Sequence, residues 1–254
     1  SQRELLLPVA VFSIFVLTIF ILGNRSLKSQ KASYANEIRT TGKLRAQEFF
    51  SSVKYNIKSL ENLKERIEMT NGSYFQYWER DARLILEQNP SFKFVEWVDS
   101  LMVIRVITPL ESNEAAIDMD LSKHPRNTEW RKHMKDASTN ISSWTNLYQG
   151  GSAFLVDVPV FFDEKFQGSI TAGMDFTNPF NELASSLDMY AIEVMDEKGT
   201  VFYSKNNPER ASVPKEFVYT TTFVIDPLDQ QEWTLFLMPS NLDFLVERNK
   251  NTYI

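Results

Sequence analysis

The strongest constraint on this chain is its run from Leu5 to Leu22, LLLPVAVFSIFVLTIFIL, which carries no charge. About 18 residues rising about 1.5 Å each reach about 27 Å, close to the hydrocarbon thickness of a bilayer. A secretory signal peptide has a shorter apolar core and a small-residue cleavage site, whereas Gly23, Asn24 and Arg25 follow here. A helix inside a soluble core rarely needs so many consecutive apolar residues with no polar face. Residues 1–24 are therefore expected to cross a membrane as a helix, with Pro8 near its start, where a missing N–H does little harm. Arg25, Lys28 and Lys31 follow the run and Arg3 precedes it, so the positive-inside rule alone would turn the next segment toward the cytoplasm. Large following domains cross with little regard to charge. The rest of the chain is accordingly expected on the periplasmic or extracellular side of an inner membrane.

Several chemistries are excluded by composition. The 254 residues carry a formal charge of -6 and show no basic stripe, which argues against a nucleic-acid partner, since phosphate binding draws on clustered Lys and Arg. With no cysteine there are no disulfides, thiolate nucleophiles or Cys-ligated metals. His124 and His133 are the two histidines, and their separation does not place both on one helical face for a metal. No G-x-S-x-G, P-loop or H-E-x-x-H occurs, so neither a catalytic site nor a cofactor is expected.

The segment 25–70 is expected to be one long helical stalk, because from Ser26 to about Met69 it has no proline, one glycine, Gly42, and abundant Lys, Glu, Ala, Leu and Arg. Ala46, Phe50, Val53, Ile57, Leu60, Lys64 and Ile67 recur at alternating spacings of four and three, with Phe49 and Leu63 widening the stripe. Such a seam serves either a homodimer through the stalk or packing on the chain's own domain. Asn71-Gly72 ends it.

Beyond this turn Tyr74, Phe75, Trp78, Ala82, Ile85 and Leu86 keep helical spacing up to Asn89-Pro90. FKFVEWVD and MVIRVITP then read as a hairpin of β-branched and aromatic strands. EAAIDMDL is expected to continue extended, Arg126 to Ala137 to be helical, and ISSWTNLY, SAFLVDVPVFF and KFQGSITAGMDF to give three more strands. After a helix near Asn178 to Leu187, a hairpin around Glu197-Lys198-Gly199 and two further strands, EFVYTTTFVIDP and QEWTLFLMPS, make a second sheet. The fold class is α+β, with two antiparallel sheets after the apolar and stalk helices. The expected units are 71–187 for the first sheet and 188–240 for the second. Ser240 or Asn241 would cap a last helix within 241–254.

The segments NPSFKFVEWVDS, EAAIDMDLSKHPRNTEWRKHMKDAS and ISSWTNLYQGGSAFLVDVPVFFDEKFQGSITAGMDF, preceded by the apolar run and stalk, resemble CHASE domains, the PAS-like extracytoplasmic sensors of histidine kinases and nucleotide cyclases. The closing G-x-x-x-A-G-M-D-F, Gly168 to Phe176, is similar to the related Cache sensors. The resemblance implies a membrane receptor with a membrane-distal sensor sheet, a smaller membrane-proximal one, a second span after the last helix and a small-molecule ligand. A module that reads a periplasmic partner protein is the alternative.

In a PAS-like sheet the pocket lies between the concave face and its helices, so polar groups among aromatics on central strands are the binding candidates. Arg105 interrupts MVIRVI and either clamps a ligand carboxylate or faces solvent paired with Asp118 or Asp120. Asp157, inside AFLVDVPVFF, suits an amine, and alternation sends Leu155 the same way, opposite to Phe154 and Val156. Trp144, Tyr148 and Thr171 offer stacking surface and hydroxyls. Asp175 either binds an amino group or caps the helix after it. Trp97 and Trp130 read as core unless a pocket lies beside them.

Overall fold

The computed structural model describes residues 2–125, 127–147, 150–206, 210–226 and 231–241. A single helix, α1 (Gln2–Met69), runs through both the apolar segment and the stalk. None of its most apolar window is buried inside the protein, and the helix is long and apolar enough there to cross a membrane.

From Tyr34 onward one face of α1 is covered. Tyr34, Ile38, Gly42, Ala46, Phe49, Val53, Asn56, Leu60, Leu63 and Ile67 are buried, at spacings of four and three that keep them on one side. This corrects the expected seam at three positions: Phe50, Ile57 and Lys64 lie half-buried at its margin while Phe49, Asn56 and Leu63 point inward. An inward Lys64 would bury a charge; at the margin it pairs with Glu68 at 3.7 Å instead. The seam packs on sheets of its own chain, sharing a core with Val95, Val158 and Trp233. Contact with the second sheet is close at Gly42, where an added Cβ would come 2.3 Å from the Tyr219 ring. Asn71 and Gly72 end α1 with positive φ of 47° and 80°, and the Gly72 N–H returns to the Ile67 carbonyl at 2.9 Å, an arrangement that satisfies an orphan carbonyl of the last turn.

A 3₁₀ turn (Ser73–Tyr77) leads into α2 (Trp78–Gln88), and the first sheet follows. Its strands are β1 (Phe92–Asp99), β2 (Ile104–Thr108), β3 (Asn140–Ile141), β4 (Thr145–Asn146), β5 (Ser152–Phe162) and β6 (Lys165–Met174), with α3 (Asn127–Asp136) crossing between β2 and β3. The order is β2-β1-β6-β5-β3, with β4 also on β5. Two expectations change here. Glu114–Ala116 is a 3₁₀ turn rather than strand, and only the end of EAAIDMDL runs beside β2, through an Asp118 N–H to Ile104 O bond of 2.8 Å. ISSWTNLY is split into two short pieces rather than one strand.

Period-2 alternation gives the first sheet two interiors. Val95, Trp97, Phe154, Val156, Val158, Ile170 and Ala172 face α1 and α2. Phe94 and Val98 face the other way, toward Met102, Ile104, Ala116 and Trp130. After α4 (Thr177–Leu183), β7 (Tyr190–Met195), β8 (Val201–Lys205), β9 (Tyr219–Asp226) and β10 (Gln231–Pro239) form the second sheet in the order β8-β7-β10-β9. The expected last helix, from Leu242 onward, lies outside the described residues.

Candidate functional site: a cavity over the first sheet

A cavity of about 110 Å³ lies on the face of the first sheet turned away from α1. It has room for several water-sized groups. The strands supply its floor through Phe94, Glu96, Val98, Leu155, Asp157 and Thr171; Met102, Ile104, Ala116, Met119, Leu121 and His124 supply one wall, and Asn127 and Trp130 of α3 another. Thr145, Asn146 and Leu147 close the side beside β4.

Register explains why the polar groups meet. Glu96 of β1 stands opposite Thr171 of β6, Thr171 opposite Asp157 of β5, and Asp157 opposite Asn140 of β3. Directly opposed side chains share a face, so the four form a row across the sheet. All are buried: Glu96 is 5 % exposed, Asp157 4 %, Thr171 3 % and Asn140 0 %. The Thr171 hydroxyl donates to Asp157 Oδ1 at 2.7 Å and the Asn140 amide to Oδ2 at 3.0 Å. Buried polar groups persist where they are hydrogen-bonded, and here they hold the carboxyl of Asp157 at the floor of a chamber with mixed apolar and polar walls. Trp130 edges against Phe166 at 5.1 Å, which fixes the aromatic wall.

The structure brings Leu155, Asp157 and Thr171 into one chamber, with Leu155 on the same side as Asp157 and with Phe154 and Val156 on the other. It does not bring Arg105, Asp118, Trp144 or Asp175 there. Arg105 lies on the outer face of β2, 2.7 Å from Asp99 and 2.9 Å from Asp118. Burial pushes the Asp99 carboxyl up, but N–H groups of Val103 and Leu101 and the Arg105 guanidinium outweigh it and hold it below the usual range. Trp144 packs on Phe154 at 5.0 Å and on Phe202 of the second sheet. Asp175 accepts the Thr177 N–H and hydroxyl at the start of α4 and pairs with Lys93 at 3.2 Å. Tyr148 lies outside the described residues.

One lining residue, Glu96, carries a sequence signal like that of Asp157. Glu96 interrupts FKFVEWVD as Asp157 interrupts AFLVDVPVFF, and a charge inside an apolar central strand is the shared signal. Trp130, expected as core unless a pocket lies beside it, belongs to a buried cluster and also lines the cavity.

No protein-family model and no curated protein matches the sequence. Solved structures match the fold. An extracellular ligand binding receptor from Desulfohalobium retbaense superposes with a TM-score of 0.63 at 14% identity over 80% of this chain, which spans 40% of that one. The ligand-binding domain of the Pseudomonas aeruginosa amino acid chemoreceptor PctC, in complex with GABA, gives 0.55 at 12% identity, covering 80% of this chain and 98% of that chain. The sensor domain of the Vibrio cholerae histidine kinase DctB gives 0.52 at 10% identity, covering 83% and 98%. The chain thus shares its fold with these ligand-binding and sensor domains.

Proposed function

We propose that this chain is the extracytoplasmic ligand-sensing region of a transmembrane signalling receptor of histidine kinase or nucleotide cyclase type, and that a small molecule binds over the first sheet. The observation that carries this reading is the cavity itself. It is a chamber lined by apolar side chains with a few polar groups among them, including a fixed buried carboxyl and hydroxyl at its floor, the usual make-up of a small-molecule site. A module built only to read a partner protein calls for a filled interior and a broad exposed apolar face; the hollow over the first sheet favours the first reading.

The acceptors Glu96 and Asp157 at the floor suit a ligand that donates hydrogen bonds, above all a protonated amine, with Trp130 also in the lining. The GABA-bound neighbour fits that chemistry. In this reading residues 5–22 cross the inner membrane and the head lies in the periplasm, which agrees with the bare apolar part of α1. Tyr34, the first buried residue of the stripe, comes about 18 Å along the helix from Leu22, and its ring packs on Phe217 beside the second sheet. The second sheet is then membrane-proximal and the first membrane-distal, as in a CHASE-type sensor. A homodimer would use the α1 surface left outside the packed stripe, where Leu44 and Tyr55 are exposed. Calorimetry of the full chain in lipid nanodiscs against amines and amino acids tests the assignment: binding that Asp157→Asn weakens supports it, whereas binding that Asp157→Asn and Leu155→Trp both leave unchanged removes the cavity from the account.

A further inference from the structure

The buried contact between His133 and Asp226 belongs to neither sheet's core, yet it joins the cavity to the second sheet. His133 lies one turn beyond Trp130 on α3, and positions three apart share a helix face. The ring is 1 % exposed. Its Nδ1 meets Ser138 Oγ at 2.9 Å and its Nε2 meets Asp226 Oδ2 at 3.2 Å. Asp226, also 1 % exposed, is the last residue of β9. Its same oxygen accepts the Ile141 N–H of β3 at 3.3 Å, and the residue before Ile141 is Asn140, which holds Asp157. The wall of the cavity, through α3, and its floor, through β3, therefore converge on one carboxylate of the second sheet.

We infer that Asp226 is the coupling point through which occupancy of the cavity reaches the second sheet, an inference that rests on ligand binding over the first sheet. Elsewhere the buried contact between the sheets is aromatic packing, as where Trp144 stacks on Phe202 and Phe154 packs tilted on Trp233, and the Ser143 hydroxyl reaches Glu197 at the exposed rim at 2.8 Å. The aromatic packing is non-directional and absorbs small sliding motions. A hydrogen-bonded carboxylate weakens steeply with distance and angle, and leaving a buried group unpaired is costly, so this joint is either made or lost. A displacement of α3 that the aromatic contacts would absorb therefore changes the joint. β9 passes it on within the second sheet, because it pairs with β10.

The test needs no ligand. Leu155→Trp and, separately, Ala116→Leu fill the cavity, and hydrogen exchange of β9 amides is followed in the full chain in nanodiscs. With Asp226 present, filling the cavity is expected to change β9 exchange by about fivefold or more, the low end of usual coupling between sites. With Asp226→Asn the same filling is expected to change it less than about twofold. His133→Gln serves as a second lesion if Asp226→Asn unfolds the chain. Equal changes in both backgrounds, or no change in either, overturn the inference. Calorimetry of the same proteins separates the two claims: amine binding with silent β9 amides sinks only the coupling, and responsive β9 amides without any small-molecule binding sink only the sensing assignment.

Discussion

The two sheets are both antiparallel, but one is hollow and the other is filled. Over the first, the strands carry a polar row into a chamber of about 110 Å³. Against the second, Trp233 is 1 % exposed with its ring 4.5 Å from Phe154, 4.6 Å from Phe202 and 5.6 Å from Phe176, and Phe49 of α1 stacks on Phe180 at 4.2 Å. Close-packed interiors resist compression and have no room for a guest; a hollow with fixed polar groups accepts one. The difference assigns binding to the first sheet.

The largest test of this contrast is truncation in each interior. Trp233→Ala is expected to destabilise by about 3–5 kcal/mol, whereas Leu155→Ala, which enlarges an existing hollow, is expected to lose about 1 kcal/mol or less. Denaturant unfolding measures both, and comparable losses would erase the distinction. Next comes the polar floor: Asp157→Ala leaves buried Asn140 and Thr171 without their acceptor and is expected to lose about 1–3 kcal/mol together with ligand binding, whereas Trp144→Phe should leave binding intact.

A pH effect sharpens the boundary between the sheets at Asp175. Burial pushes its carboxyl up, but the Thr177 hydroxyl and N–H and the Lys93 ammonium outweigh this and hold it below the usual carboxylate range. A carboxyl depressed in the folded state adds stability above its unfolded pKa, and that contribution fades as pH falls through the folded value. Asp175→Asn should therefore be less stable than the parent at neutral pH, with the gap closing below about pH 3.9; acid titrations of both proteins read this. Asp81 behaves in the same sense, since burial pushes it up and Tyr74, Arg80 and Arg66 together pull it lower. The smallest effect is expected at Arg105, whose guanidinium is exposed on β2: Arg105→Ala should leave both amine binding and the unfolding midpoint unchanged, because exposed ion pairs contribute little.

Much of this contrast was readable in the chain. β-branched and aromatic runs placed both sheets, and alternation put Leu155 with Asp157 and against Phe154. The stalk was harder, because heptad spacing marks a buried face without saying what buries it; Phe49 and Leu63, at the edge of the expected seam, proved to be inside it. Arg105 and Asp157 look alike as charges in apolar strands, but Arg105 lies on edge strand β2 while Asp157 lies on β5, which is paired along both sides. Strand order is a long-range property that local pattern does not contain. For the same reason the His133 to Asp226 contact, which bridges α3 and β9, leaves no mark on sequence spacing.

The central claim, that the hollow over the first sheet is the ligand site, is tested most directly by thermal unfolding of the full chain and of Leu155→Trp against one panel of small amines and amino acids. A ligand at a hundred times its Kd stabilises by about 2.7 kcal/mol, a shift of several degrees for a chain of this size. The account predicts that shift for the parent and none for Leu155→Trp. An equal shift in both proteins would contradict it.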